Sequence, residues 1–139
     1  MKYRLIGDIL FVRVDRGEEI LTELKNACLS AGVRLGAVSA IGASDDFTVG
    51  LYDVDTKKYA ERRFTGPHEI VSLLGNVCEM SGEYYAHLHL SAANANHETF
   101  GGHLTRAVVS ATCELTVRVA DGRVDRFRDP ESGLNLWDL

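Results

Sequence analysis

Near the start of the chain Leu10, Val12 and Val14 alternate with Phe11, Arg13 and Asp15, the period-two pattern of a strand whose two sides meet different surroundings. Arg16-Gly17 ends it. Over 18–31 the period changes: Ile20, Leu21, Leu24, Ala27, Cys28 and Ala31 recur at three and four, which predicts a helix with one apolar stripe. Glu18 and Glu19 suit its positive N-terminal end, and Gly32 is a natural stop. Beyond the helix the pattern predicts strands over 34–41, 47–53, 58–64, 69–74, 84–91 and 107–119, separated by turns that carry Gly, Asp or Asn. The last is the longest. It sets Ala107, Val109, Ala111, Cys113, Leu115, Val117 and Val119 on one face and Arg106, Ser110, Thr112, Glu114, Thr116 and Arg118 on the other. The expected fold class is α+β, a single domain over 1–139 with a mainly antiparallel sheet of about six strands and one main helix packed on it.

Composition supports an ordinary folded domain. With 139 residues, 45% of them hydrophobic and 25% charged, the chain can bury a core without disulfides or a structural metal. No linker, repeat or low-complexity tract interrupts it. The balance of 15 Lys+Arg against 20 Asp+Glu gives a net charge of -5, and the densest basic cluster, Lys57, Lys58, Arg62 and Arg63, is broken by Glu61. That argues against binding nucleic acid through its phosphates. Cys28, Cys78 and Cys113 are odd in number and form no CxxC pair, which fits a reducing compartment. Cys28 and Cys113 lie on apolar faces as core residues, whereas Cys78 has no such placement and is open to exposure. No apolar run suits a secretory leader or a membrane span, so a cytoplasmic location without a membrane partner is expected. The glycines of 36–42 and Gly50 match no phosphate-binding loop, and Asp45-Asp46 would repel a phosphate. Close strand packing accounts for them better.

Four of the five histidines, His87, His89, His97 and His103, fall within 17 residues. On a strand, His87 and His89 share one face with Glu83, Tyr85 and Ser91, while Leu88 and Leu90 face the core. The segment 94–102 is rich in turn formers and predicts a reversal that returns His103 towards the pair. Three neutral imidazoles from two adjacent strands make a ligand set for a divalent ion such as Zn²⁺, with a fourth tetrahedral position open. The bland alternative is a solvated or subunit-facing pair. A cupin arrangement needs an acidic residue shortly after the HxH, but the first one here is Glu98, nine positions on. His68, in the Gly66-Pro67 turn, is expected at the surface. His97, in the later turn, is a candidate fourth ligand, and Asn76 and Glu79 are candidates to border the site.

Two blocks carry a resemblance. Gly66-Pro67-His68-Glu69-Ile70-Val71-Ser72-Leu73-Leu74-Gly75-Asn76, together with His87-Leu88-His89 followed by Gly101-Gly102-His103-Leu104, resembles the PPC domain found in plants and prokaryotes. The likeness spans nearly the whole chain. It implies a compact α+β fold, a homotrimer, and a zinc-type metal on His87, His89 and His103. Glu114 matches a glutamate usual in the family and is a candidate to orient a ligand histidine. The plant proteins bind AT-rich DNA through separate AT-hooks, and no Arg-Gly-Arg-Pro core occurs in this chain. Three functional readings follow: a metal site that takes a small anionic ligand, a regulatory or DNA-associated oligomeric interaction module, and a metal-dependent hydrolase or lyase that would need an additional base.

Overall fold

The computed structural model describes residues 1–139. In chain order the elements are β1 (Lys2–Ile6), β2 (Ile9–Asp15), α1 (Ile20–Ala31), β3 (Gly36–Asp53), β4 (Lys58–Met80), β5 (Glu83–Ala93), β6 (Thr99–Val119), β7 (Asp125–Arg128) and β8 (Asn135–Asp138). The helix forms where the stripe predicts it. Its first free N–H groups are met by the Glu19 carboxylate, which accepts from Leu21 (3.1 Å) and Thr22 (2.8 Å), and Gly32 closes it in the left-handed conformation. No helix is long and apolar enough to cross a membrane.

Six strands form one antiparallel sheet in the order β1-β2-β6-β3-β4-β5. Because β5 also pairs with β6, the four strands β3 to β6 close on themselves and leave β2 and β1 as an extension. The core fills the inside of this curved sheet and the space under α1. Leu10, Val12 and Val14 of β2, Ile20, Leu24 and Cys28 of α1, and Phe47, Leu88, Leu90 and Leu115 all belong to it. Burying such side chains is the main favourable contribution to folding.

Several expected boundaries move for identifiable reasons. The expected strands 34–41 and 47–53 are one strand, β3, and 58–64 and 69–74 are one strand, β4. The residues read as turns are bulges and ion-paired positions inside these long strands. Asp46 binds Arg63 of β4 and Arg106 of β6, so an acidic residue that reads as a breaker is held across three strands. Gly42 is needed because any Cβ there would strike the β6 backbone at Thr112 and Cys113, as close packing requires. The expected reversal over 94–102 is shorter, since β6 begins at Thr99 and Gly101 and Gly102 pair with Ser91 and Leu90 of β5. Ala111, expected inside, is exposed where the β3 register on β6 skips from Cys113 to Val109.

Two placements are corrected outright. His68 lies inside β4, only 8% exposed, packed edge-on against Phe47 with its Nδ1–H donated to the Gly66 carbonyl (2.7 Å). Cys78 is 1% exposed because β7 covers it. The hairpin of β7 and β8 has no period long enough to read from the sequence. It is held by tertiary contacts, with the Asp125 carboxylate accepting from the Ser81 N–H (2.9 Å) and Tyr52 Oη–H donating to the Ser132 carbonyl (3.0 Å).

Candidate metal centre

The outward face of the sheet carries the three histidines. In β5, Leu88 and Leu90 are buried, which turns His87 and His89 to the opposite side as strand alternation requires. His89 stands directly across from His103 of β6, and His87 across from Asn76 of β4. Close strand spacing makes this possible: a side chain at Gly75 would overlap the His87 carbonyl, and one at Gly102 would meet the Gly50 carbonyl at 2.7 Å. The ligand-type atoms of His87, His89 and His103 all lie within 4.8 Å of one another.

This geometry and its electrostatics suit a tetrahedral ion. His87 Nε2 and His89 Nε2 are 3.3 Å apart, and two nitrogens on a tetrahedral zinc with bonds of about 2.0–2.1 Å stand roughly 3.3 Å apart. Burial, then the neighbouring His103, His89 and Arg126, pushes His87 down to about 4, and burial followed by His89 also lowers His103. Both rings are therefore neutral at pH 7 with a lone pair free for coordination, the form a metal requires. Tyr59 packs edge-on against His103, with ring centroids 6.0 Å apart.

The histidines floor a depression of about 710 Å³ whose far wall is the C-terminal hairpin. Tyr52, Tyr59 and Tyr85 line it from the sheet, and Arg126, Leu136 and Trp137 from β7 and β8. Asn76 borders it and accepts a hydrogen bond from Arg126 Nη2–H (2.9 Å). The other border candidates lie elsewhere. Glu79 is nearly buried between Arg34 and Arg123, turned away because alternation along β4 sets it on the side opposite Asn76. Glu114 lines a separate depression with Phe11, Ile41 and Thr116, since β6 is long enough for His103 and Glu114 to sit at different ends of the sheet. His97 is exposed in the 94–98 turn with φ 63° and is not brought to the other three. Arg126 and Trp137 had no signal in the sequence, being far from the histidines and outside any motif.

Solved proteins share this whole arrangement of chain. A proposed DNA-binding protein of Bacteroides thetaiotaomicron superposes with a TM-score of 0.95 at 30% identity, covering 99% of this chain and 96% of its own. A metal-containing protein of Archaeoglobus fulgidus gives 0.87 at 28% identity, covering 99% and 97%. Among curated relatives, the bifunctional protein GlmU of a Synechococcus strain is 29% identical over 125 residues, or 88% of this chain, but the match spans only 18% of that protein's length. Residues 1–121 match the Plants and Prokaryotes Conserved (PCC) domain, and the chain belongs to that family.

Proposed function

We propose that the chain binds a divalent metal, zinc, through His87, His89 and His103, with the fourth position open to a small anionic ligand in the depression beneath the hairpin. One observation carries this reading: three imidazole nitrogens converge within 4.8 Å, and burial keeps two of the rings neutral. The metal-containing description of the Archaeoglobus relative supports it. A zinc ion at such a site supplies Lewis acidity. The chain's own residues position it, with Gly75 admitting the His87 strand and Tyr59 shielding His103. No Asp or Glu lines the depression, so the hydrolase reading lacks a carboxylate base and ligand binding is the better-supported role.

Elemental analysis of untagged protein tests this. About one zinc per chain is expected, lost in a His87→Ala/His89→Ala double variant; a metal-free parent protein that takes up no added zinc would sink the reading.

Assembly into a trimer is part of the same proposal. On the outward face Ile41 is 61% and Leu74 57% exposed, with Phe11 and Val71 near them. Exposed apolar clusters of this kind mark interaction surfaces, and a second and third copy of the chain would cover this one. Light scattering should give three times the 15.3 kDa chain mass. The description of the Bacteroides relative favours nucleic acid as partner instead, but here Arg63 and Arg106 are both drawn into ion pairs with Asp46. No retardation of AT-rich duplex at low salt is expected.

A further inference from the structure

Arg126 is a charge without a counter-charge. It is only 8% exposed, and no acidic side chain forms an ion pair with it. Arginines buried to this degree are nearly always paired. The hydrogen-bond partners of its guanidinium are all neutral. Nε–H donates to Cys78 Sγ (3.0 Å), Nη1–H to the Asn135 carbonyl (2.6 Å) and Nη2–H to Asn76 Oδ1 (2.9 Å). The rings of Tyr85 and Trp137 lie against the guanidinium, with centroids 4.7 and 5.6 Å from Cζ, which leaves its edge as the approach. Asn76, which holds one of its nitrogens, stands directly across from His87. The guanidinium is thus fixed in the wall of the histidine depression, one residue away from the proposed ion.

The donor count narrows what can complete it. A guanidinium has five N–H groups and three are taken, so two remain. Two donors match the two oxygens of one carboxylate. Asn135, in the same wall, donates Nδ2–H to Tyr85 Oη (3.3 Å). The remaining lining is largely apolar and aromatic, with Tyr52, Tyr59, Leu134, Leu136 and Trp137, apart from a second, exposed cation, Arg128, and the space of about 710 Å³ exceeds that of an inorganic ion.

We propose that the depression takes a carboxylic acid with an apolar or aromatic body, its carboxylate held by Arg126 and its body against Leu136 and Trp137. This deepens the three-histidine reading and rests on it only for the further ligand oxygen that fills the open position. Arg126 then reads the charge of the ligand as well as pinning the hairpin to Cys78 and Asn76.

Trp137 is the one tryptophan of the chain and reports occupancy by its fluorescence. The zinc-loaded full chain would be titrated with mandelate, with its uncharged counterpart mandelamide, and with inorganic phosphate. Mandelate should give a saturable change at an affinity at least about 10-fold above that of mandelamide and of phosphate, the factor expected of a charge-assisted pair. Arg126→Lys should weaken mandelate by about the same factor at unchanged zinc content, because a point charge cannot replace the fork. No saturation with mandelate up to roughly 10 mM, equal binding of acid and amide, or phosphate binding as tight as mandelate would each overturn the proposal. If Arg126→Lys does not fold, the three-probe comparison on the unaltered chain still decides. Zinc content read on the same samples separates the two ideas. A chain without zinc that still prefers mandelate through Arg126 brings down the metal reading alone; zinc bound without that preference brings down the carboxylate assignment alone.

Discussion

Two polar clusters meet on strand β6 of this protein and differ in how their charges are completed. In the first, Asp46 of β3 binds Arg63 of β4 through Nε–H (2.7 Å) and Arg106 of β6 through Nη1–H (2.6 Å). In the second, His103 of the same β6 meets His87 and His89 beside Arg126, and the depression they share contains no acidic side chain. The first set closes on itself and ties three strands together across a bulge. The second gathers neutral imidazoles and a buried cation that has no counter-charge. A satisfied network is explained by the fold it supports, whereas an incomplete one at a concave surface points to something bound from outside.

Breaking the open cluster should have the largest effect. His103→Ala removes the one imidazole that β6 contributes and should lower zinc affinity by at least about 100-fold, more than loss of a residue that merely orients a ligand, as measured by competition with a chelator. Gly75→Ala comes next. It forces a methyl group against the His87 carbonyl and Leu88, so it should destabilise the fold by about 1–3 kcal/mol in urea titration and weaken zinc along with stability. An unchanged midpoint would show that β4 and β5 can separate there freely.

Breaking the closed cluster should do less and do it elsewhere. Asp46→Asn leaves Arg63 and Arg106 facing each other and should cost up to about 1 kcal/mol, as expected for solvent-accessible pairs, with zinc content unchanged. Loss of zinc in that variant would mean that the two clusters are coupled through β6. The smallest effect is its pH dependence. Arg63 and then Arg106 hold the Asp46 carboxyl down at about 2, below the value near 3.9 usual for an unfolded chain. A depressed carboxyl contributes stability that is complete above about pH 4 and is lost as pH falls towards 2. The urea midpoint of the parent chain should therefore fall faster than that of Asp46→Asn across that window, and salt should shrink the difference.

Some of this was legible residue by residue. The period of 10–15 and the stripe of 20–31 mark β2 and α1 because each element's own alternation decides which side is buried. The face shared by His87 and His89 follows from Leu88 and Leu90 in the same way. Glycines that pattern as turns sit inside long strands, Gly66 within β4 and Gly101 and Gly102 within β6, so those strands are longer, and the reversal before His103 shorter, than the sequence predicts. His68 and Cys78 are buried against local expectation because what covers them, Phe47 in one case and β7 in the other, comes from other parts of the chain.

The sequence by itself determined the helix, the alternating strands and the grouping of the three histidines, since these depend on local period and on spacing within one hairpin. Only the tertiary structure decided that the sheet closes through β5 and β6, that Glu114, Glu79 and His97 stand apart from the histidines, and that Arg126 and Trp137 stand over them. Those outcomes depend on register between distant strands and on where a short hairpin docks. Long-range pairing of that kind leaves no periodic trace along the chain.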